Sequence, residues 1–330
     1  MNNSTLLRGL LVAVLALVTI GVILQSRRAS PVVPDDLDRY LDPLTDLAPR
    51  ITAIEVQSGE QLVRVERRAE GWTLISRDGF TAQSEPIQEL VRALIGLETT
   101  QKMTAKPERH HELGLAWPDE TKVARRIRIF VDESPDATTD VIVGNAVQSP
   151  TGVYIRRFGD DQSYRAKGRL AAVADVGPWI AGPVAEIESK SIVQIDVGAF
   201  NLVQTNQQWE VNPPLAEGAP ADPMRDALKS TLPYLLSGFQ PDDVRKARTD
   251  EPVHEGEIAA IYHLGGGNAV DARLWKESDG IWVRLAFAAR ATEPNESLDQ
   301  YAARWAGWMF RVPSWRAGQF EPLFAPPAAP

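Results

Sequence analysis

The pattern of apolar and polar positions in the folded part of the chain occurs twice. Three aliphatic residues with the same spacing begin a strand-like run in each half, Ile51, Ile54 and Val56 and then Ile192, Ile195 and Val197. Each run leads to a second short strand, a tryptophan in a polar setting, and an amphipathic helix with a proline near its start. A period of this length exceeds the roughly 20–50 residues of solenoid units. It therefore predicts two tandem domains of one type.

A second match lies late in each half. Residues 152–156 and 280–284 both read glycine, aliphatic, aromatic, aliphatic and arginine, so that Tyr154 corresponds to Trp282. Matched aromatic residues in two copies favour core packing at the same corner of each fold. The alternative is that Tyr154 and Trp282 contact a ligand in a groove between the two units.

Alternating and helical apolar spacings predict the elements of the first unit. Residues 51–56 and 62–65 form a hairpin, 71–75 a third strand and 85–97 a helix, with Ser84 as N-cap and Pro86 in its first turn. Strands follow at 126–131, 139–143 and 153–158, and a short closing helix at 170–180.

The second unit repeats this order. A helix is predicted at 222–236, where Pro233 should kink it or end it early. Strands follow at 258–264, 269–275 and 281–286, and then an aromatic helix at 298–309. The predicted fold class is α+β, with two tandem similar domains at 49–185 and 186–318, each an antiparallel sheet with a packed helix.

The N-terminal segment is apolar enough to cross a membrane. Residues 9–24 carry no charge, and about 18 apolar residues at 1.5 Å each span roughly 27 Å, close to a hydrocarbon core. A cleavable signal peptide is the alternative, but the run ends in Gln25-Ser26-Arg27-Arg28, without small residues for cleavage. We therefore predict a cytoplasmic stub and transmembrane anchor at 1–28, with residues 6–25 in the lipid bilayer.

The segments that flank the two units have a different composition. Residues 29–48 are rich in proline and aspartate and predict an extended tether, in which the helical spacing of Leu37, Tyr40, Leu41 and Leu44 allows a short helix. Residues 319–330 end in proline and alanine and predict a disordered tail. Because long domains cross a membrane largely regardless of charge, we place the bulk of the chain outside the cytoplasm.

Composition narrows the possible functions. A net charge of −9 argues against a nucleic-acid partner, whose phosphates are bound mainly by lysine and arginine. The chain has no cysteine, which excludes disulfides, cysteine nucleophiles and thiolate metal sites.

No motif predicts a catalytic, cofactor or metal site. His110 and His111 are adjacent, whereas zinc-binding helices place their histidines four residues apart, so we expect surface histidines ahead of a turn at Gly114. The glycines at 265–267 lack the lysine and serine or threonine of a phosphate-binding loop and predict a hairpin turn. A hydrolase that uses unmarked carboxylates or the two histidines stays open, with no motif in its favour.

The aromatic segment 298–309 is the strongest candidate for contact with a partner. It combines tryptophan and arginine, which are enriched at interface hot spots, and its candidate residues are Tyr301, Arg304, Trp305 and Trp308. Packing of these aromatic side chains in the core is the alternative.

Six sequence features together resemble a known family. They are Ile51-x-x-Ile54-x-Val56, Gly71-Trp72-x-Leu74, the leucine-rich helix to Leu97, Leu113-Gly114-Leu115-x-x-Pro118, Val143-Gly144, and Gly152-Val153-Tyr154-Ile155-Arg156. In these features the chain resembles the domain of unknown function 4340 family, closely over about residues 50–180 and more loosely in the second half. Its members are bacterial, are anchored by one N-terminal helix, and often accompany auxiliary components of gliding-motility-type ABC transporters. The family has no established catalytic residues.

The resemblance implies a non-enzymatic role at the bacterial inner membrane. We expect a single-pass, periplasmic scaffold or accessory subunit of an ABC-type transport complex, whose partners are the other subunits and the bilayer. The alternative is a module that binds an envelope polysaccharide or peptide in the groove between the two repeats.

Overall fold

The computed structural model describes residues 43–118, 123–171, 173–206, 208–216, 222–248, 253–291 and 295–325. The predicted anchor, residues 29–42 of the tether and residues 326–330 of the tail lie outside these ranges. Within them, no helix is both long enough and apolar enough to cross a membrane.

The described part of the first half forms one nine-stranded antiparallel sheet. Its strands are β1 (Ile51–Ser58), β2 (Gln61–Arg68), β3 (Gly71–Leu74), β4 (Phe80–Thr81), β5 (Glu98–Lys102), β6 (Arg125–Val131), β7 (Thr139–Val147), β8 (Gly152–Arg157) and β9 (Ser163–Lys167). They lie in the order β4-β3-β2-β1-β6-β7-β8-β9-β5. Helix α1 (Pro43–Leu47) precedes β1, and helix α2 (Glu85–Ile95) connects β4 to β5.

The described part of the second half forms an eight-stranded antiparallel sheet. Its strands are β10 (Ile192–Val197), β11 (Phe200–Thr205), β12 (Gln208–Asn212), β13 (Asp243–Lys246), β14 (Ile258–Leu264), β15 (Ala269–Glu277), β16 (Gly280–Ala289) and β17 (Trp308–Arg311). They lie in the order β12-β11-β10-β14-β15-β16-β17-β13. The helices are α3 (Pro223–Leu235), α4 (Glu296–Trp305) and α5 (Ser314–Phe320).

The two sheets have corresponding strand orders. Strands β1, β2 and β3 take the places of β10, β11 and β12, while β6 to β9 take those of β14 to β17, and β5 that of β13. Helices α2 and α3 occupy the same point in the two sequences of elements. Strand β4 has no counterpart among the residues described in the second half. The α+β class and the antiparallel sheets predicted from the sequence are thus confirmed.

Several predicted elements are wrong or misplaced. The described residues of the predicted helix, 170–171 and 173–180, contain no α-helix, only a 3-10 turn at Gly177–Trp179, because Gly177 and Pro178 interrupt the apolar pattern. The aromatic helix ends at Trp305, since Gly307 turns the chain with φ of 78°, and Trp308 begins β17 instead.

The two ends of the described region also differ from the prediction. Leu44, near the end of the predicted tether, is buried in the main hydrophobic cluster of the protein. Residues 319–324, which the prediction placed in a disordered tail, complete α5 and a 3-10 turn, and Phe320 and Leu323 are buried.

One hydrophobic cluster includes residues from both sheets. Phe80 of β4 reaches across to the second sheet, where its ring packs edge-on against Trp308 at 4.9 Å and Phe310 at 5.9 Å between centroids. Each sheet also has a smaller cluster on the face opposite to this core. On the first sheet, Ile142 alternates with the core residues Val141 and Val143 and packs with Leu115 and Ala124. On the second sheet, Trp275 and Trp282 pack with Met309.

Candidate functional site at the junction of the two sheets

The two aromatic residues proposed for a shared groove lie in different clusters. Tyr154 is half-buried against the small cluster on the first sheet. Trp282 is only 3% exposed in the corresponding cluster of the second sheet, and its indole Nε1 donates to Asp279 Oδ1 at 3.0 Å. The guanidinium of Arg245 covers its ring at 4.2 Å. Tyr154 and Trp282 therefore do not meet, and Trp282 offers no surface to a ligand.

The four residues proposed for partner contact mostly face inward. Trp305 is 1% exposed, and its Nε1 donates to the carbonyl oxygen of Val184 at 2.7 Å. Tyr301 and Trp308 are half-buried against the main core. Arg304 is exposed and donates to the carbonyl oxygen of Pro183 at 3.1 Å. Trp305 and Arg304 thus hold α4 against the segment that connects the two sheets.

A cavity of about 730 Å³ lies where this connecting segment passes between the sheets. Its described lining comes from β2, the turn after β3, the connecting segment, and, in the second half, β13, the turn between β15 and β16, β16, β17 and α5. The lining residues are Gln61, Leu62, Arg77, Ala174, Asp175, Val176, Gly177, Pro178, Asp242, Asp243, Asp279, Gly280, Arg311, Val312, Ser314 and Ala317. Both halves of the chain therefore contribute to one cavity.

An ion pair across the junction forms part of its wall. Arg77, in the 3-10 turn after β3, binds Asp243 at the start of β13 in bidentate geometry, with Nε–Oδ1 at 2.5 Å and Nη2–Oδ2 at 3.0 Å. Both side chains are partly buried. Bidentate arginine–carboxylate pairs are geometrically specific, so this contact fixes how the two sheets meet.

The other charged side chains of the cavity come mostly from the second half. Asp242 Oδ2 accepts a hydrogen bond from the backbone N–H of Ser314 at 2.7 Å, at the start of α5. Asp279 Oδ2 lies 3.7 Å from Arg311 Nη1, and Asp175 is exposed on the connecting segment. Four aspartates and two arginines are found among the described lining residues, so the formal charge of the lining is −2.

A smaller cleft of about 270 Å³ adjoins the cavity and shares Gly177, Pro178 and Asp242 with it. Trp315 of α5 lies at its edge with 76% of its surface exposed. The cleft is also lined by Gln83, Gly238, Gln240, Pro241, Pro313 and Arg316. We call the cavity and this cleft together the junction groove.

Helix α5 presents Trp315 because its opposite face is fixed in the protein. Phe320 is fully buried, and buried Arg316 donates to the carbonyl oxygen of Tyr234 on α3 at 2.8 Å. Burial lowers the pKa of the Arg316 guanidinium from its usual value. An exposed tryptophan on a helix anchored in this way has little freedom to fold back onto the core.

The histidines take structural positions. The prediction of a surface residue is wrong for His110, which is buried, with Nε2 at 2.8 Å from the carbonyl oxygen of Asp161, whereas His111 is exposed. The turn predicted at Gly114 is confirmed. Nε2 of His263 lies 2.7 Å from Asp196 on the second sheet. Among the described residues, no group of three or more histidine, cysteine, aspartate or glutamate side chains has the arrangement of a metal site.

A polar group also supports the tryptophan cluster of the second sheet. Glu277 accepts hydrogen bonds from Arg245, at 2.9 Å from Nη1, and from Trp275 Nε1 at 2.6 Å. The hydrogen bond from Arg245 is the main reason that the pKa of Glu277 is lowered, and the bond from Trp275 adds to it against the opposing effect of burial.

Sequence reasoning did not find the junction groove. In the sequence, Asp242 and Asp243 have the context of aspartates at a turn or at a helix start. Arg77 lies 166 residues from Asp243, so no local pattern links the two side chains. The one local signal is Trp315, a tryptophan that directly follows a proline and a serine at a helix start.

Comparison with known proteins identifies a family. The family model described as "Domain of unknown function (DUF4340)" matches residues 72–256, which is more than half of the 330-residue chain. The match begins in β3 of the first sheet and extends past β13 of the second. No curated protein and no solved structure matches the chain. The protein therefore belongs to the family of the domain of unknown function DUF4340.

Proposed function

We propose that this protein is a membrane-anchored, extracytoplasmic scaffold or accessory subunit of an ABC-type transport complex in the bacterial inner membrane, and that it is not an enzyme. In this proposal residues 1–28 anchor the chain, and two tandem α+β repeats bind the other subunits. The apolar N-terminal sequence and the associations implied by the family resemblance support the location and the kind of partner.

The packing of the two sheets suits a scaffold. A shared hydrophobic cluster, the aromatic contacts of Phe80, and the Arg77–Asp243 pair join the two halves into one body. A body of this kind holds binding surfaces on its two halves at fixed separations, which is what an assembly subunit requires.

Exposed Trp315 is the observation that carries the proposal. Tryptophan is the residue type most enriched at interface hot spots, and here 76% of it is in solvent on an anchored helix.

Crosslinking in native membranes tests the proposal. The tagged full chain is crosslinked gently in bacterial membranes, purified, and its covalent partners are identified. We expect transporter subunits to be recovered by the natural chain and also by a matched variant whose residues 1–28 are replaced by an unrelated membrane anchor. A clean monomer in both cases would contradict the proposal, and loss of partners in the variant alone would place the contact in the anchor.

The junction cavity favours a second candidate, a module that binds an envelope polysaccharide or peptide. Its volume of about 730 Å³ is within the range of roughly 300–1,000 Å³ typical of ligand pockets. The ligand contacts in this candidate come from the junction groove and not from Tyr154 or Trp282. Calorimetric titration of the full chain with purified cell-wall glycan fragments and with wall peptides would separate the two ligand types.

A further inference from the structure

We propose that the junction groove binds an extended segment of a partner protein that carries a lysine or arginine beside apolar residues. This inference deepens the accessory role and rests on it, because it names the chemistry of the partner. The basic side chain occupies the acidic cavity, and the apolar neighbours pack against Trp315 in the adjoining cleft.

The charge of the cavity selects a cation. Both arginines of the lining are already directed at carboxylates, Arg77 at Asp243 and Arg311 at Asp279. Asp175 is exposed on the connecting segment, and Asp242 uses one oxygen on the N–H of Ser314. A lysine or arginine that enters the cavity therefore meets carboxylates that are not fully neutralised, within a protein whose net charge is −9.

The cleft beside it selects apolar groups. Three prolines, Pro178, Pro241 and Pro313, line it together with Trp315, and proline has no backbone N–H to donate. The guanidinium of Arg316 already lies 5.6 Å from the centroid of the Trp315 ring, and the exposed part of the ring can pack against the apolar stem of a lysine or arginine. Cavity and cleft adjoin through Gly177 and Pro178, so one extended segment can reach both.

The same features disfavour the other classes of partner. A polysaccharide is held by many hydrogen bonds to its hydroxyl groups. The side-chain donors that line the cleft are instead directed at backbone carbonyl oxygens: Gln83 at Pro178, Gln240 at Gly177 and Ile180, and Arg316 at Tyr234. Trp315 also has the chemistry of a residue at a membrane surface. However, anionic lipid headgroups would be repelled by a cavity lining with a formal charge of −2.

Peptide selection on the purified full chain in phosphatidylcholine nanodiscs tests the inference. The probe is a displayed library of random twelve-residue peptides, and the affinity of the strongest selected peptide is then measured by fluorescence anisotropy. We expect lysine or arginine next to apolar residues to be enriched. Trp315→Ala should weaken binding about tenfold or more, as for a tryptophan hot spot.

Charge substitutions and matched controls sharpen the result. Asp175→Asn and Asp242→Asn should each weaken binding up to about fivefold, and less at 0.5 M salt, where screening is strong. Phe158→Ala removes an aromatic residue that is 41% exposed but does not line the groove, and Asp136→Asn removes an exposed carboxylate elsewhere. Both controls should stay within twofold of the natural chain.

Several results would overturn the inference. The first is that no peptide is selected, and the second is that the selected peptides are not enriched in lysine or arginine. The third is that Trp315→Ala binds the selected peptide within twofold of the affinity of the natural chain. A photo-reactive residue at position 315 that crosslinks to lipid instead of peptide would assign the surface to the bilayer and reject the inference. If transporter subunits are still recovered from membranes with Trp315→Ala, the accessory role stands while the groove is rejected. Peptide binding without any membrane partner rejects the accessory role alone.

Discussion

Phe80 allows the strongest test of how the two sheets are joined. Its side chain is 3% exposed, and its ring packs edge-on against Trp308 and Phe310 of the other sheet. Phe80→Ala removes a buried ring and leaves a cavity, which costs about 3–5 kcal/mol in the free energy of unfolding for phenylalanine in a core. Edge-on aromatic pairs contribute roughly 0.5–1.5 kcal/mol each within such a loss.

Urea unfolding of the full chain in mild detergent, followed by near-ultraviolet circular dichroism, measures this effect. The matched control is Phe158→Ala, because Phe158 is 41% exposed and its main contact is the guanidinium of Arg126 at 3.3 Å from the ring centroid. We expect the control to lose only about 0.5–1 kcal/mol, as for an exposed cation–π contact.

A double-mutant cycle of Phe80 and Phe310 isolates the contact between the sheets. The two rings touch, so we expect a coupling free energy of about 0.5–1.5 kcal/mol. A loss below about 1 kcal/mol for Phe80→Ala, or a coupling near zero, would refute the view that this ring joins the two halves.

Two further predictions concern acid stability and helix capping. The pKa of Glu277 is lower in the folded protein than in the unfolded chain, where it is about 4.3. The ion pair of Glu277 with Arg245 therefore stabilises the fold fully above about pH 4.3, and this stabilisation is lost as the pH falls through the folded-state pKa. Glu277→Gln should therefore flatten the fall of the urea midpoint between about pH 5 and pH 3, and an unchanged slope would contradict this. Asp222 accepts from the N–H of Met224 at 3.0 Å at the start of α3, so Asp222→Ala should lower the unfolding free energy by about 1 kcal/mol. Ser84 makes no such side-chain bond at the start of α2, so Ser84→Ala serves as the matched control and should change the unfolding free energy by less than about 0.5 kcal/mol. Equal losses of unfolding free energy in the two variants would contradict the assignment of Asp222 as a helix cap.

The parts of the fold that sequence reasoning predicted correctly are those with strong local patterns. Strand β14 begins and ends where its alternation predicts, at Ile258 and Leu264, and α2 begins at Glu85 before Pro86 as predicted. In these elements the apolar period and the local stop signals favour the same conformation, and the tertiary contacts of the folded protein preserve it.

The missed elements lack such patterns. Strand β5 reads Glu-Thr-Thr-Gln-Lys, with no apolar alternation, and it is a strand because it pairs with β9 at the edge of the sheet. Residues 173–180 have enough apolar residues for a helix, but apart from the 3-10 turn they are held by contacts with the first sheet: Ala82 forms a bridge with Ile180, and the carbonyl oxygen of Trp179 accepts from the N–H of Gln83. Tertiary pairing decided both conformations.

The candidate site was hidden for a different reason. Its charged groups come from turns and strand ends that are far apart in sequence, such as Arg77 and Asp243, and each group reads locally as ordinary turn chemistry. Only the strand order brings them together. Trp305 shows the opposite error, because its residue type suggested an interface while its indole is buried against Val184.

Strand β4 has a consequence for any engineered array of these sheets. Among the described residues it is the element that breaks the correspondence between the sheets, and it carries the ring that touches the second sheet. The described second half offers no equivalent ring, so a designer who joins a further copy after it would have to build a new aromatic contact for that copy.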